Sequence, residues 1–241
     1  MALFTDGAVS TVEELAGHDS QICSVATVAG IDVTRKLELA QEELGIELET
    51  LLERRLLKQV VVTPPLRLWH AYRSLELVYQ DAYSSQLNDR YANKRDEFGG
   101  MARWAMDRLI RLGVGLTEHP VPKAAAPDVT AASGDLADGT YYVTVSWVNA
   151  AGEEGVCADV VSVTTAGSTF MASPRCAPAV AVGWNLYAGT DPECTALQNS
   201  VPNPLGSAWV QPGQLVTGGK RPGRGQEPDR LLRVARRISR G

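Results

Sequence analysis

The first half of the chain alternates apolar and polar positions with the period of an α-helix. Apolar side chains recur every three or four residues over positions 1–117, in a stretch rich in Leu, Ala, Glu and Arg. Ser10 and Glu13 have the spacing of a capping box for a short opening helix, and a break at Gly30–Asp32 precedes a helix from about Thr34 to Leu57. The pattern predicts a bundle of amphipathic helices. The apolar stripe of the longer helix consists of Leu37, Ala40, Leu44, Leu48, Leu51 and Leu52.

Two further helices are predicted after a proline pair. Pro64 and Pro65 end one element and suit the first turn of the next, while Gly113 and Gly115 close the last helix. Both helices carry an apolar stripe suited to packing against a neighbouring helix or against another subunit. The first stripe contains the aromatic residues Trp69, Tyr72, Tyr79 and Tyr83. The second contains Tyr91, Phe98, Met101, Ala105, Leu109 and Leu112.

After residue 127 the apolar positions follow a period of two, which is typical of β-strands. Strands are predicted at 138–149, near 160–163, at 180–190 and at 208–211, where a last strand is short. Four or five strands over 128–218 suit an antiparallel sandwich of immunoglobulin or fibronectin type III size. Such sandwiches usually have about seven strands, so two strands are unaccounted for.

These patterns predict an α+β protein of two domains. The domains are a helical bundle over 1–118 and an immunoglobulin-like β-sandwich over 128–218, joined by a proline-rich linker at 119–127. A short basic helical arm is predicted within 219–241. On a helical projection of this arm, apolar residues lie on one arc and arginines on the other. The apolar arc contains Leu231, Val234, Ala235 and Ile238, and the basic arc contains Arg230, Arg233, Arg236, Arg237 and Arg240.

Charge is distributed unevenly along the chain. The 241 residues have a formal net charge of −5, with 13 basic and 18 acidic residues in 1–122, two and eight in 123–218, and eight and two in 219–241. Such asymmetry is typical of a docking arm rather than of a general nucleic-acid surface. The arm could equally be a solvated terminus, a helix induced in a partner's groove, or a segment attracted to DNA or to an anionic membrane.

Composition and motifs disfavour secretion, membrane spanning and enzymatic chemistry. The start, MALFTDGAVS, lacks the basic and apolar regions of an export signal, and no 18-residue apolar run occurs. The four cysteines fit no CxxC pair and are expected to be reduced core residues, with a disulfide among residues 157, 176 and 194 as the alternative.

No metalloprotease, nucleophile-elbow or P-loop pattern is present, so no catalytic, cofactor or metal site is predicted. The histidines His18, His70 and His119 are expected to be ordinary surface or core residues. Three tryptophans of the β-rich part, Trp147, Trp184 and Trp209, could stack on sugars. Strand phase favours a core position for the first two.

The helical half resembles the head-to-tail connector, or adaptor, proteins of tailed bacteriophages. The similarity is carried by AQEELGIELETLLERRL (40–56) and LRLWHAYRSLELVYQDAYSSQLNDRYANKRDEFGGMARWAMDRL (66–109). In that family the helical domain packs side by side into a ring, usually of twelve copies, beneath the portal of the DNA-filled capsid, and a carboxy-terminal arm reaches the portal. The stretches GTYYVTVSWVNAAGEEG (139–155) and GWNLYAGTDPE (183–193) look like the immunoglobulin-like or fibronectin-like modules often appended to phage structural proteins. Because connectors are commonly all-helical, such a module is expected to be a surface insertion.

The resemblance implies a non-enzymatic virion protein of the neck, assembled in the cytoplasm of the host bacterium. Its expected partners are further copies of itself, the portal protein, a tail or stopper protein, and genomic DNA that passes through the channel without sequence-specific contact. The alternative is a particle-anchored binding module whose β-sandwich recognises carbohydrate or a host surface. Candidates for contacts between copies are Trp69, Tyr72, Tyr79, Tyr83, Leu44 and Leu48. Candidates for portal docking are Arg230, Leu231, Arg233, Val234, Arg236, Arg237 and Ile238.

Overall fold

A computed structural model describes residues 1–52, 54–86 and 89–233. The described residues form an α+β protein with its helices in the first half and antiparallel sheets in the second. The helices are α1 (Val12–His18), α2 (Ile22–Ala29), α3 (Val33–Leu51), α4 (Pro64–Gln86) and α5 (Asp89–Leu112), with a 3-10 helix at Arg54–Gln59. The strands are β1 (Val114–Leu116), β2 (Asp128–Ala132), β3 (Gly139–Asn149), β4 (Val161–Thr165), β5 (Thr169–Ser173), β6 (Ala181–Gly189), β7 (Ala196–Leu197), β8 (Asn203–Pro204), β9 (Trp209–Val210) and β10 (Arg230–Leu232).

The chain divides into two compact units, and each contains two stretches of sequence. The helical unit consists of Gly7–Thr117 and the chain from Pro228 on, whereas the β unit consists of Met1–Asp6 and Glu118–Glu227. The chain therefore passes between the units three times. The last strand, β10, belongs to the helical unit although it follows the β unit in sequence.

Capping and turn residues set the ends of the first three helices. The capping box of α1 is formed by Thr11 and Glu14, one residue later than the predicted pair, because the Thr11 side chain accepts from the Glu14 amide. Gly30 ends α2 in a left-handed conformation (φ 66°), as expected at a helix C-terminus. Asp32 then caps α3 by accepting from the amide of Arg35. Helix α3 ends at Leu51 and not at Leu57, since the chain tightens into the 3-10 helix there.

Helices α4 and α5 form the longest hairpin of the helical unit, and their aromatic residues meet within the chain. The ring of Phe98 on α5 stacks on Tyr79 at 5.7 Å and on Tyr72 at 6.4 Å between centroids. Tyr91 contacts Tyr79 at 6.1 Å, and the Tyr79 hydroxyl donates to Asp19 Oδ2 over 2.7 Å. The stripe of α4 is therefore covered by α5 and by the turn between α1 and α2, where Asp19 lies.

The β unit contains two antiparallel sheets that share one core. The smaller sheet has the order β2-β5-β9 and the larger has the order β4-β3-β6-β7, with β8 also paired to β6. Strands β2, β5, β7 and β8 were not predicted, so the two sheets contain four more strands than the four that the sequence located. The register places Val145 opposite Leu186 and Trp147 opposite Trp184, with all four side chains buried. Phe170 of the smaller sheet belongs to the same core, which confirms the core prediction for the two tryptophans.

The proline-rich stretch predicted as a linker is packed into the β unit. Val121 and Ala124 are buried, and the amide of Val121 donates to Gln226 Oε1. The amide of Lys123 donates to Asp6 Oδ1, which ties the first residues of the chain to the same segment. These bonds make 119–127 an extended part of the unit rather than a separate linker.

The cysteines do not occupy the core positions that were predicted for them. All four thiols are free; Cys23, Cys176 and Cys194 are exposed, and Cys157 is half-buried. Small apolar side chains and large aromatic ones fill the core instead. Within the described residues, no helix combines the length and the apolar character needed to cross a bilayer.

Candidate functional site

The basic C-terminal segment begins as a β-strand attached to the helical unit. Strand β10 pairs antiparallel with β1, with Leu231 opposite Gly115 and Leu232 opposite Val114. Before the strand, the amide of Asp229 donates to the Leu116 carbonyl, and Thr117 Oγ1 donates to Asp229 Oδ2 over 3.1 Å. The predicted helix over 229–240 is therefore wrong for its first residues, because their backbone groups bond to β1 instead of to each other.

Strand β1 is held on both of its edges. On the side away from β10, the amide of Val61 donates to the Gly115 carbonyl, and the amide of Thr117 donates to the Gln59 carbonyl, both over 2.9 Å. Thr117 and Leu116 are fully buried. The root of the basic segment is thus joined to a strand that is itself fixed between two neighbours.

Two glycines allow this close approach. Gly113 has a φ of 107°, and a Cβ there would lie 3.1 Å from Leu231 Cβ and from the Leu232 backbone. A Cβ on Gly115 would lie 2.8 Å from Thr63 Cγ2 and 3.1 Å from Pro228 Cβ. Both glycines were predicted only as the stop of a helix, and the structure assigns them the further role of seating β10.

Only some of the predicted docking residues lie within the described part of the chain. Arg230, Leu231 and Arg233 are all exposed, and Leu231 is 54% exposed although it is apolar. Strand β10 has no second strand partner among the described residues, so it is an edge strand. Val234, Arg236, Arg237 and Ile238 lie outside the described residues.

The residues predicted to join one copy to another lie mostly in the core of their own chain. Leu44, Leu48, Trp69, Tyr72 and Tyr79 are buried, and only Tyr83 is half-buried, with the Arg95 guanidinium 5.4 Å from its ring centroid. The prediction of subunit contacts through these side chains is corrected accordingly, because α3, α4 and α5 already cover them. Helical spacing locates an apolar face but does not reveal whether its partner belongs to the same chain.

Several large apolar side chains of the helical unit remain exposed to solvent. Val28 is 73% exposed on α2, Ile46 is 66% exposed on α3, and Trp104 is 50% exposed on α5. The guanidinium of Arg108 lies 5.5 Å from the Trp104 ring centroid. These side chains, rather than the buried stripe, are available to a neighbouring copy.

The β unit contains a buried carboxylate that sequence analysis did not find. Glu154 lies in the return strand after the β3 turn, where an isolated bridge pairs it with Val148. Its Oε1 accepts from Ser146 Oγ, from Asn185 Nδ2 over 3.1 Å and from the Tyr187 hydroxyl over 2.5 Å. Alternation along β3 and β6 could have indicated this polar face, because Ser146 and Asn185 lie opposite each other across the two strands.

Glu154 also anchors the C-terminal part of the β unit. Its Oε2 accepts from Lys220 Nζ over 2.8 Å, and its side chain is only 10% exposed. Burial raises the pKa of Glu154, but the hydrogen bonds from Lys220, Ser146, Tyr187 and Asn185 outweigh it and leave the pKa below its usual range. The carboxylate is therefore ionised at neutral pH and saturated with donors, which suits a structural tie rather than a proton-transfer group.

The remaining ionisable groups do not form a reactive cluster. Burial raises the pKa of the Cys157 thiol to about 12, so it is not a thiolate nucleophile at neutral pH. Of the three histidines, His18 and His119 are exposed, whereas His70 is buried with Nε2 donating to the Leu37 carbonyl over 3.1 Å. Within the part of the chain that the structure describes, no three His, Cys, Asp or Glu side chains converge as metal ligands.

Comparisons with protein-family models, with curated proteins and with solved structures found no match to this chain. Its function must therefore be argued from the surfaces described above. The most informative of them is the strand that fixes the root of the basic C-terminal segment.

Proposed function

We propose that the chain is a structural, non-enzymatic virion protein of a tailed bacteriophage. It forms a ring, of twelve copies by family resemblance, that joins the portal to a tail or stopper protein and extends the DNA channel. The observation that carries the proposal is the pairing of β10 with β1, because it attaches an arginine-rich segment firmly to a helical body. The β unit is then an immunoglobulin-like module appended to that body.

The root of the arm supports docking in a specific way. A segment of eight residues follows Arg233, and it contains three of the eight basic residues of 219–241. Because β10 is fixed by its pairing with β1, this segment is attached at a defined point of the helical unit. Repeated in a ring, such arms give many weak contacts a high effective concentration at one portal.

Contacts between copies would use the exposed apolar side chains of the helical unit. Val28, Ile46 and Trp104 lie on three different helices and are each at least half exposed. Aromatic residues are enriched in the cores of protein interfaces, and Trp104 with Arg108 beside it has that character. The buried stripes give each copy the rigidity that a ring subunit needs.

The helical half of the chain and the C-terminal arm carry net charges of opposite sign, and each sign has its own role in the proposal. The first 122 residues carry a net negative charge, and residues 219–241 carry a net positive one. A channel lined by acidic surfaces repels the DNA backbone and keeps it moving, while the arms attract acidic groups on a neighbour. Both effects weaken as the salt concentration rises.

The test is portal binding by a chain that ends after Arg233. This truncation removes the distal arm but keeps β10, whereas a cut before Pro228 would also expose β1 and confuse docking with misfolding. We expect the full chain mixed with purified portal at physiological salt to form a ring-shaped complex in electron micrographs, and we expect the truncated chain to lose the complex while hydrogen exchange in both units stays unchanged.

A charge-matched pair of variants separates docking from general electrostatics. Replacing Arg236→Gln together with Arg237→Gln removes two positive charges from the arm, and replacing Arg221→Gln together with Arg224→Gln removes two from the β unit. Only the first pair is expected to weaken portal binding. Undiminished binding by the truncated chain, or the lack of any ring or complex with the full chain, would overturn the proposal.

A further inference from the structure

The β unit contains an open cleft whose lining does not include Glu154. Its volume is about 570 Å³, within the range of roughly 300–1,000 Å³ that small-molecule sites occupy. Tyr141 and Ala188 contribute to its lining from β3 and β6, and the loop 214–219 forms another wall. The cleft lies wholly within the β unit.

Several side chains in the lining have polar groups that nothing in the described chain uses, namely those of Thr190, Thr195, Gln214, Thr217 and Arg221. Thr190 is exposed, Thr195 is almost buried, and neither hydroxyl takes part in a hydrogen bond with the described residues. Arg221 is exposed and makes no ion pair or hydrogen bond with them. Three threonine hydroxyls, one amide and one guanidinium therefore border a cavity otherwise lined largely by small and apolar side chains.

The loop 214–219 and the segment that leads from it to Arg221 are fixed by hydrogen bonds. Gln198 holds the loop on both sides, since its Nε2 donates to the Val216 carbonyl over 3.2 Å and its Oε1 accepts from the Val216 amide over 2.9 Å. The amide of Leu197 donates to the Lys220 carbonyl, and the Lys220 side chain is paired with Glu154. Lys220, the residue before Arg221, is therefore held by its backbone carbonyl and by its side chain, which fixes where the backbone of Arg221 begins.

The chemistry of the lining selects among ligand classes. A guanidinium recognises a carboxylate through two parallel hydrogen bonds, and threonine hydroxyls suit the hydroxyls of a sugar ring. Among the residues that line the cleft, Arg221 has the one charged side chain, which suits a ligand with a single negative charge better than a multiply charged one such as a nucleotide. A ligand that carries one carboxylate for Arg221, and otherwise only neutral hydroxyl groups for the threonines, matches this lining.

We propose that this cleft binds a hexuronate, that is, a pyranose ring carrying one carboxylate. Arg221 would hold the carboxylate, Thr190 and Thr195 would bond to ring hydroxyls, and the edge of Tyr141 with the neighbouring alanines would face the apolar side of the ring. Trp209, the residue that sequence analysis suggested for sugar stacking, is not part of this site. Its indole packs against the core, and its Nε1 donates to Gln211 Oε1 over 3.1 Å.

Saturation-transfer NMR on the full chain tests the site with matched ligands. The probes are glucuronate, galacturonate and mannuronate, each compared with its parent hexose, which differs only by having a hydroxymethyl group in place of the carboxylate. We expect at least one hexuronate to bind about tenfold more tightly than its parent hexose, the size of effect expected for one charge-assisted pair. The portal is not needed, so this result is separate from that of the docking test.

Two arginines three residues apart supply the variant and its control. Arg221→Gln should abolish the preference for the hexuronate over the hexose, whereas Arg224→Gln, which removes an exposed arginine outside the lining, should leave it unchanged. Thr195→Val should weaken hexuronate and hexose alike. No binding of any hexuronate, or a preference that survives Arg221→Gln, would overturn the proposal.

Discussion

The two units differ in the ionisable groups that they bury. In the helical unit the buried histidine His70 makes a single hydrogen bond to the Leu37 carbonyl, and the nearly buried carboxylate of Asp19 accepts from the Tyr79 hydroxyl. In the β unit the nearly buried carboxylate of Glu154 accepts hydrogen bonds from four side chains. Both units therefore bury a carboxylate, but the helical unit also buries a histidine that loses stability when it is protonated, whereas the β unit gathers four donors around one charge.

This difference implies that the units respond to different perturbations. Loss of a methylene group inside the helical unit leaves a cavity, since close-packed helices relax only in part. Loss of charge inside the β unit leaves donors without an acceptor. Three experiments on the full chain sharpen the comparison when urea unfolding is followed by hydrogen exchange mass spectrometry, which reports peptides of the two units separately.

The largest effect is expected from a cavity in the helical unit. Leu48 is 0% exposed on α3, so Leu48→Ala should lower the free energy of unfolding of the helical unit by about 2–5 kcal/mol. Leu112→Ala removes the same atoms from a side chain that is 54% exposed and should cost at most about 0.5 kcal/mol. Equal losses in the two variants would show that Leu48 is not in the core, and would restore its role as a contact between copies.

The second effect is a pH dependence confined to the helical unit. Burial lowers the pKa of His70 to about 4, against the smaller opposing effects of the Leu37 hydrogen bond and the charge of Glu14. Between pH 6.5 and about 4 the unfolded chain therefore binds the proton and the folded unit does not, so stability is full above pH 6.5 and falls as the pH is lowered. The loss across this window should approach about 3 kcal/mol.

His70→Gln is the matched variant for this titration. Glutamine keeps a donor for the Leu37 carbonyl but does not titrate, so the stability of the variant should vary less between pH 6.5 and 4. Peptides of the β unit should show little change over the same window. A helical unit whose stability is flat from pH 7 to pH 4.5 would contradict the placement of His70.

The sequence predicts those elements whose conformation depends on neighbouring residues, and it fails for those that depend on pairing with distant parts of the chain. Helices α3, α4 and α5 and strands β3 and β6 follow local periodicity, and they lie close to their predicted positions. Strand β10 was predicted as helix because its leucines and arginines also fit a period of 3.6, and only pairing with residues more than a hundred positions away decides its conformation. The short strands β7 and β8 have two residues each, too few for any period to appear.

The candidate sites were harder to predict for the same reason. Arg230, Leu231 and Arg233 were selected for their charge and apolar pattern, but the strand that fixes them depends on Gly113 and Gly115. The cleft of the β unit brings together Thr190 and Thr195 from one stretch of the chain and Arg221 from another, and none of these belongs to a recognisable motif. The Glu154 network likewise depends on which sheet face is covered, which alternation alone does not specify.

The smallest loss of stability is expected in the β unit, when the charge of Glu154 is removed. Glu154→Gln keeps an acceptor oxygen for Ser146, Asn185 and Tyr187 but removes the charge that Lys220 meets, and it should lower the free energy of unfolding of the β unit by about 1 kcal/mol at pH 7. Lys220 is 60% exposed, so solvent screens its part of the loss. Glu193→Gln, at an exposed site of the same unit, should have no measurable effect.

The pH dependence of this difference distinguishes a lost charge from a packing defect. Because the folded pKa of Glu154 lies below the unfolded value, its contribution is present above pH 4.5 and is lost as the pH falls through the folded pKa. The difference between Glu154→Gln and the unaltered chain should therefore shrink below pH 4.5, whereas a packing defect would persist at every pH. At pH 5 the helical unit should already be weakened by His70 while the β unit is not, and simultaneous weakening of both units there would contradict the assignment of the two titrations to separate units.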